Sequence, residues 1–185
     1  CIVILINDVI NIWIGGKYIL DNSIKYILAA NFYIIGMHNS VWSYKVTSGI
    51  FKKGRFILAI MAIINLLLSI FLGNRMGLFG ILFATTIARL CTNVWYDPWA
   101  IYSTIFNKSC KGYFICYIKN ILIMLLTLFL TNQIINIINL NNSLYINFVI
   151  KLIICIIIPN ICFCMYFFKK EEFKFIISYI IKVLK

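Results

Sequence analysis

The stretch "GLFGILFATTIARLCTNVWYDP", residues 77–98, is apolar over most of its length and carries a single cation, Arg89. A helix of about 20 apolar residues crosses the roughly 30 Å hydrocarbon core of a bilayer, so this stretch predicts a transmembrane helix. An arginine at the centre of such a helix is unfavourable by about 2.5–3.5 kcal/mol on insertion scales. Its presence indicates either a functional group or a side chain that reaches for the membrane surface.

The rest of the chain has the same character. Apolar residues make up 63% of the 185 residues and charged residues 12%, and the mean hydropathy is +0.99. A soluble domain of this size could not bury so much apolar surface. Full apolar windows occur at residues 24–44, 56–73, 77–96, 113–131 and 152–168, and an incomplete one occupies residues 1–16. The composition therefore predicts an all-α, polytopic transmembrane helical bundle with about five full spans and one truncated span.

The chain opens on Cys1, inside an apolar segment and without a charged leader. A secretory signal peptide has a basic start and a small-residue cleavage site, which are absent here. We therefore expect the sequence to be the C-terminal piece of a longer protein.

The charge distribution predicts the orientation in the membrane. Most of the 17 cations follow alternate apolar segments, so they fall on one side of the membrane: Lys45, Lys52, Lys53, Arg55, Lys108, Lys111, Lys119, Lys169, Lys170, Lys174, Lys182 and Lys185. The opposite side receives Lys17, Lys25, Arg75 and Lys151. Positive loops lie in the cytoplasm, so we expect a multi-pass protein of the bacterial cytoplasmic membrane with a cytoplasmic C-terminus. The net charge of +12 thus indicates membrane lipids as partners, not nucleic acid.

The chain divides at residue 168 into a membrane part and a tail. Residues 1–168 hold the apolar windows, whereas the apolar run within residues 169–185 is too short to span a bilayer. Polar residues recur in this tail at helical spacing, at Glu171, Lys174, Ser178, Lys182 and Lys185. This pattern predicts an amphipathic helix on the anionic inner leaflet; a frayed cytoplasmic tail is the alternative.

Catalytic and metal sites are not expected. The seven cysteines contain no CxxC pair, and the one histidine, His38, lies on a segment away from the alternating Cys162 and Cys164. The five acids form no paired arrangement of the kind that general acid–base catalysis requires. We therefore predict no cofactor, no metal and no enzymatic activity.

The helix that starts at Gly77 has two different faces. On a helical wheel the small residues Gly80, Ala84 and Ala88 fall within about 80° and predict close packing of another helix. The opposite side carries the first set of candidate cavity residues: Thr85, Arg89, Thr92 and Tyr96. Arg89 either extends toward the inner headgroups or faces a water-filled cavity, where a guanidinium suits bidentate binding of phosphate.

The window at residues 24–44 carries a second polar stripe. Asn31, His38, Trp42 and Lys45 lie within about 60° of each other on a helical wheel, and such stripes normally face the interior of a bundle. Asn31, His38 and Lys45 are therefore candidate cavity residues. His38 is either a proton-coupling group or a neutral imidazole that is hydrogen-bonded between helices.

The motif "WYDPW", residues 95–99, predicts the end of a span. Pro98 disfavours helical geometry at Asp97, so Asp97 is expected to cap a new helix with Pro98 at its first position. A role of Asp97 as a proton carrier is the alternative. Trp95, Tyr96 and Trp99 would belong to an aromatic belt at the inner interface.

Five stretches in order resemble a known family: "NDVINIWIGGKYIL", "SGIFKKGRF", "AIINLLLSIFLG", "GLFGILFATTIARL" and "TNVWYDPW". Over residues 1 to about 110 the chain is similar to bacterial polysaccharide biosynthesis proteins, the oligosaccharide flippases of the MATE-like exporter superfamily. Beyond that point only the pattern of spans matches.

The resemblance implies a fold of two helical bundles around a central cavity, of which this chain would hold the second. It implies flipping of an oligosaccharide repeat unit on undecaprenyl pyrophosphate across the cytoplasmic membrane, for capsule, lipopolysaccharide O-antigen or other surface polysaccharide. The implied partners are this lipid-linked substrate, the missing N-terminal half and polysaccharide polymerase machinery, and Arg89 is the natural pyrophosphate ligand. A MATE-type antiporter of small molecules is the main alternative, and a membrane-embedded sugar-phosphate transferase or polymerase is a second.

Overall fold

The structure, a computed structural model, describes residues 1–50, 54–138, 143–168 and 170–183. All regular elements in these ranges are helical, as the sequence predicted. The α-helices are α1 Ile2–Trp13, α2 Asn22–Thr47, α3 Ile57–Cys91, α4 Asn93–Ile101, α5 Lys111–Ile137, α6 Leu144–Phe167 and α7 Glu171–Val183. A 3-10 turn, Gly16–Tyr18, precedes α2, and a π-helical turn, Tyr102–Phe106, follows α4.

Three helical segments of the described chain are long and apolar enough to cross a membrane. They are Ile57–Phe106, Lys111–Ile137 and Leu144–Phe167. Their apolar side chains are largely not covered by protein, which is the arrangement expected where lipid replaces water as the solvent. Helix α2 covers the predicted window 24–44 without a break but is too polar to count among the three. The total of five full spans and one truncated span therefore stays a prediction.

Helix α3 reverses direction at Gly77. Its φ of 59° and ψ of −139° are non-helical, and this combination suits only glycine. Residues 65 and 85 would lie about 30 Å apart in a straight helix at 1.5 Å per residue. Yet Thr85 Oγ1 lies 3.3 Å from Asn65 Oδ1, so residues 57–76 and 78–91 form a helical hairpin.

The predicted small-residue stripe forms the seam of this hairpin. Gly80, Ala84 and Ala88 are all buried, and a Cβ on Gly80 would overlap the backbone carbonyl of Leu72 on the first arm. The predicted packing face is therefore buried, and at Gly80 its partner is the preceding arm of the same helix.

Two compact units make up the chain. One comprises Cys1, Val3–Lys17 and Asn120–Lys185, and the other comprises Ile2 and Tyr18–Lys119. The second unit contains α2, α3, α4 and the start of α5, and it holds all the candidate cavity residues.

The predicted tail contains helix α7, Glu171–Val183, while its cytoplasmic location stays a prediction. Four of the cations that predict the orientation lie outside the described residues: Lys52, Lys53, Lys169 and Lys185.

Candidate functional site

A buried carboxylate joins α2 to α4. Asp97 Oδ1 accepts a hydrogen bond from Lys45 Nζ at 2.7 Å, and Asp97 Oδ2 lies 2.9 Å from His38 Nε2. The exposed fractions of the three side chains are 0% for Asp97, 6% for Lys45 and 11% for His38. His38 and Lys45 are seven residues apart, which is two helical turns, so both project from the same face of α2 toward one acid. These three residues are called the Asp97 cluster below.

Asp97 does not cap a helix, and that prediction is wrong. Helix α4 begins at Asn93 with Thr92 as its N-cap, and Pro98 lies inside the helix. The break that ends α3 falls at Thr92, whose φ of −126° and ψ of −93° are not helical. Asp97 is then a buried interior residue of α4. Its carboxylate is used by Lys45 and His38, because an unpaired charge in an apolar interior is far more unfavourable than an uncapped helix end.

Sequence reasoning placed His38 and Lys45 on one face of α2 but assigned them no partner. The sequence did contain one signal for this contact, which is that a buried acid needs a basic partner. Asp97 is one of two acids in or beside the apolar windows, and buried charges are normally paired. That argument predicts that Asp97 pairs with a basic side chain, although it does not identify the side chain.

Gly54, three residues before α3, lies next to the Asp97 cluster. Gly54 has a φ of +87°, and a Cβ at this position would lie 2.6 Å from Tyr96 Cε1 and 3.5 Å from Lys45 Nζ. The indole of Trp42 lies on another side of the lysine, with its ring centre 5.4 Å from Nζ. The ammonium group of Lys45 is thus enclosed by a carboxylate, an indole and the backbone of Gly54.

An open groove of about 550 Å³ lies next to Lys45. Its lining residues are Gly54, Arg55, Phe56, Ile57, Ile60 and Tyr96. Arg55 supplies a guanidinium that lies over the ring of Phe56, with 4.7 Å between Cζ and the ring centre. Tyr96, a predicted cavity residue, therefore lines a groove, and Lys45 lies next to one of the other lining residues, Gly54.

Asn31 holds α2 against the second arm of α3. Its Nδ2 donates to the carbonyl of Leu82 at 3.0 Å, and its Oδ1 accepts from Thr86 Oγ1 at 3.1 Å. Asn31 is buried, as a residue facing the bundle interior should be. The amide satisfies groups on α3 in the same way as interhelical polar side chains do in other membrane bundles.

The face predicted to run from Thr85 to Tyr96 is interrupted, so that part of the prediction is wrong. Because α3 ends before Thr92, Tyr96 belongs to α4 and does not continue the helical stripe. Thr92 Oγ1 donates to the carbonyl of Ala88 at 2.6 Å, within its own turn. Thr85 Oγ1 is used inside the hairpin, within reach of Asn65 Oδ1 and the carbonyl of Ile81.

Arg89 lies one helical turn after Thr85 on the second arm of α3. The residue is partly buried, and its Nε is buried without a hydrogen-bond partner among the described residues. Buried donors are almost always paired in folded proteins, so an unpaired guanidinium nitrogen is a notable exception. It retains a donor that can bind an acceptor from outside the chain.

The other unit contains a separate ion pair. Lys151 Nζ on α6 lies 2.7 Å from Asp8 Oδ2 on α1, and about a fifth of each side chain is exposed. The charge distribution assigned Lys151 to the side of the membrane opposite the main cationic clusters. The structure includes Lys151 in α6 and pairs it with the acid.

Among the described residues no group of three or more histidine, cysteine, aspartate or glutamate side chains could hold a metal ion. Comparisons with protein-family models, with curated proteins and with solved structures found no match for this chain.

Proposed function

We propose that this protein is part of a transporter that moves a lipid-linked, pyrophosphate-bearing oligosaccharide across the bacterial cytoplasmic membrane. The observation that carries the proposal is the unpaired, buried Nε of Arg89 inside an otherwise apolar helical hairpin. A guanidinium binds phosphate oxygens through paired, charge-assisted hydrogen bonds. An anionic headgroup that enters from outside the chain would satisfy the donor that the protein itself leaves unpaired.

The chemistry of the cargo explains why such a protein is needed. A charged pyrophosphate linked to sugars is strongly hydrated, and moving it unaided into hydrocarbon costs tens of kcal/mol by Born-type reasoning. Cationic and hydroxyl groups in the protein can replace part of that hydration. Rocking of helical bundles against each other would then expose the group on the other side, as in other secondary transporters.

The arrangement of charges also supports the proposed setting. The cations that follow alternate apolar segments predict a cytoplasmic C-terminus. The likeness of residues 1 to about 110 to oligosaccharide flippases implies polysaccharide polymerase machinery as a partner. The three apolar helical segments are consistent with a membrane location. In this proposal the chain binds and moves its cargo and performs no bond-breaking chemistry.

An antiporter of organic cations, the main alternative, is less well supported. A cavity for cationic drugs needs carboxylates that are free to bind them. Both acids in the apolar helices, Asp8 and Asp97, are already paired with lysines. Profiling the drug susceptibility of a deletion strain separates the two functions, since only the antiporter should change it broadly.

The proposal is tested by replacing Arg89 in cells that depend on this gene for surface polysaccharide. We expect Arg89→Ala to abolish most of the polysaccharide and Arg89→Lys, which keeps the charge but not the bidentate geometry, to retain part of it. Arg75→Ala is the matched control, because Arg75 is an exposed arginine at the other end of the same hairpin. Normal polysaccharide from Arg89→Ala at wild-type abundance in the membrane would contradict the phosphate-binding role.

A further inference from the structure

The Asp97 cluster contains two basic side chains, Lys45 and His38, but only one carboxylate. Asp97 is fully buried, so it requires a positive partner within hydrogen-bond distance. Lys45 fulfils this role at 2.7 Å, and the His38 ring is already in place at 2.9 Å from the other oxygen. A proton on His38 would supply a second positive charge, and Lys45 would no longer be required by Asp97.

The groove beside the cluster offers an alternative place for the lysine charge. Gly54 lines the groove together with Tyr96, and a Cβ on Gly54 would also lie 3.5 Å from Lys45 Nζ; Arg55 adds a guanidinium to the lining. The lysine side chain has a flexible four-carbon stem, so its ammonium group can change partners without movement of the helix. A phosphate group in the groove would lie between two cations, Arg55 and a redirected Lys45.

The charged and titratable groups around His38 come from few elements. Helix α4 contributes Asp97, and α2 itself contributes Lys45 through that same carboxylate. From α3 the described contacts with α2 are made by Thr86 and the carbonyl of Leu82, one turn from Arg89. The start of α5 adds Tyr117, whose ring meets Tyr33 near the middle of α2. Asp97 is the only acid among these groups, so it alone can stabilise a protonated His38.

We infer that protonation of His38 releases Lys45 from Asp97 and makes it available to a phosphate group bound in the groove lined by Gly54, Arg55 and Tyr96. With Nε2–H donating to Asp97 Oδ2, the added proton is taken from water by Nδ1. The cluster then changes from neutral to a net charge of +1, and the phosphate oxygens balance that charge. This inference rests on the proposed function and adds a second phosphate-binding position, in the groove, to the one proposed at Arg89; its residues would couple cargo binding to proton uptake.

A second buried group is consistent with a changing hydrogen-bond pattern. Asn93 lies one turn before Asp97 on the same face of α4, is only 4% exposed, and leaves its Oδ1 without a partner among the described residues. An imidazolium ring has one N–H donor more than the neutral ring. The α4 face that carries Asp97 thus also holds an unused hydrogen-bond acceptor.

Coupling of this kind is reciprocal. If protonation strengthens phosphate binding, then phosphate binding must favour protonation by the same factor. The affinity for a phosphate-bearing ligand should therefore rise as the pH falls, and binding should be accompanied by proton uptake. If two cations were always present in the groove, the protein would contribute neither a pH dependence of the affinity nor proton uptake on binding.

The experiment is calorimetric titration of the purified chain in detergent micelles at about pH 6 and about pH 8. Three probes separate the sources of phosphate: farnesyl diphosphate as a lipid diphosphate, inorganic pyrophosphate as the free ion, and phosphatidylglycerol as a membrane phospholipid. Titration in two buffers of different ionisation enthalpy counts the protons that are taken up. The ligand's own titration is the same in every variant, so the difference between wild type and His38→Gln isolates the contribution of His38.

We expect farnesyl diphosphate to bind about tenfold more tightly at the lower pH, which is a typical coupling factor. In His38→Gln, which keeps a neutral N–H donor, the affinity should stay at the weaker value and the extra proton uptake should vanish. Lys45→Gln should lower the affinity at about pH 6 to the weaker value and leave binding at about pH 8 nearly unchanged, because Lys45 is held by Asp97 at the higher pH. Lys108→Gln, which removes an exposed cation outside the groove, should behave as the wild type does.

The outcomes distinguish the inference from the proposed function. Tight binding of farnesyl diphosphate with the same pH dependence and proton count in wild type and His38→Gln overturns the switch and leaves the proposed cargo in place. Equal pH-linked binding of phosphatidylglycerol supports the switch but contradicts the cargo. Binding of none of the three probes overturns both. If His38→Gln does not fold, the difference in proton count between wild type and Lys45→Gln tests the inference, because without Lys45 the extra proton uptake should vanish.

Discussion

Removing one partner of the Asp97 cluster should strongly destabilise the fold. In Asp97→Leu the ammonium of Lys45, only 6% exposed, loses its carboxylate, and without a phosphate ligand in the groove no other anionic partner replaces it. Breaking a buried ion pair in this way costs about 3–5 kcal/mol. At about 1.4 kcal/mol for each factor of ten, the unfolding equilibrium should shift by roughly two to three and a half powers of ten.

The double variant Asp97→Leu, Lys45→Met removes both charges and should behave differently. Replacement of a whole buried pair by apolar side chains of similar volume is often neutral or stabilising, by up to about 4 kcal/mol. We therefore expect the double variant to be at least as stable as the wild type to within about 1 kcal/mol, and much more stable than Asp97→Leu alone.

Unfolding with sodium dodecyl sulfate in mixed micelles is the assay, with tryptophan fluorescence as the signal. Trp42 lies 6.3 Å from the His38 ring and thus reports on this region. The control is Lys108→Met, which removes an exposed cation and should change the free energy of unfolding by less than about 0.5 kcal/mol. The reasoning is refuted if Asp97→Leu unfolds within about 1 kcal/mol of the wild type, or if the double variant is as unstable as the single one.

Three further predictions follow from the backbone and the charges. Gly54→Ala should destabilise the protein by about 1–3 kcal/mol in the same assay, because its φ of +87° disfavours a side chain and the new Cβ would meet Tyr96. Gly80→Ala should open the α3 hairpin, since its Cβ would overlap the carbonyl of Leu72, and a cysteine crosslink between the two arms should then form more slowly. Gly36→Ala, in a part of α2 with free space around it, is the control for both and should be neutral or slightly stabilising. A reporter enzyme fused to the carboxyl terminus should be active only in the cytoplasm; activity outside the cell would reverse the predicted orientation.

The helices and their packing face could be read from the sequence because they depend on local patterns. The apolar windows predicted the main helices, and the spacing of Gly80, Ala84 and Ala88 predicted a packed seam that the structure confirms. The hairpin itself follows from Gly77, a residue that the sequence marked only as the start of a window.

The Asp97 cluster could not be predicted in the same way, because Lys45 and His38 precede Asp97 by 52 and 59 residues in the sequence. Local rules even gave the wrong answer at Asp97. The preference against helix before Pro98 is worth less than pairing a carboxylate in an apolar interior, so α4 continues through the proline. Whether Arg89 binds a ligand was left open by the helical wheel, and its unpaired Nε is visible only once the fold is known.

The spacing of these contacts sets an order of assembly. The two arms of α3 meet across 20 residues, whereas α2 finds Thr86 and Asp97 only across 52 to 59 residues. During synthesis α2 leaves the ribosome before either partner exists, with an amide, an imidazole and an ammonium group unsatisfied. We expect α2 to remain beside the insertion machinery until the α3 hairpin and α4 have been synthesised. The most polar helix of this unit would then insert into the bilayer together with its partners and not before them.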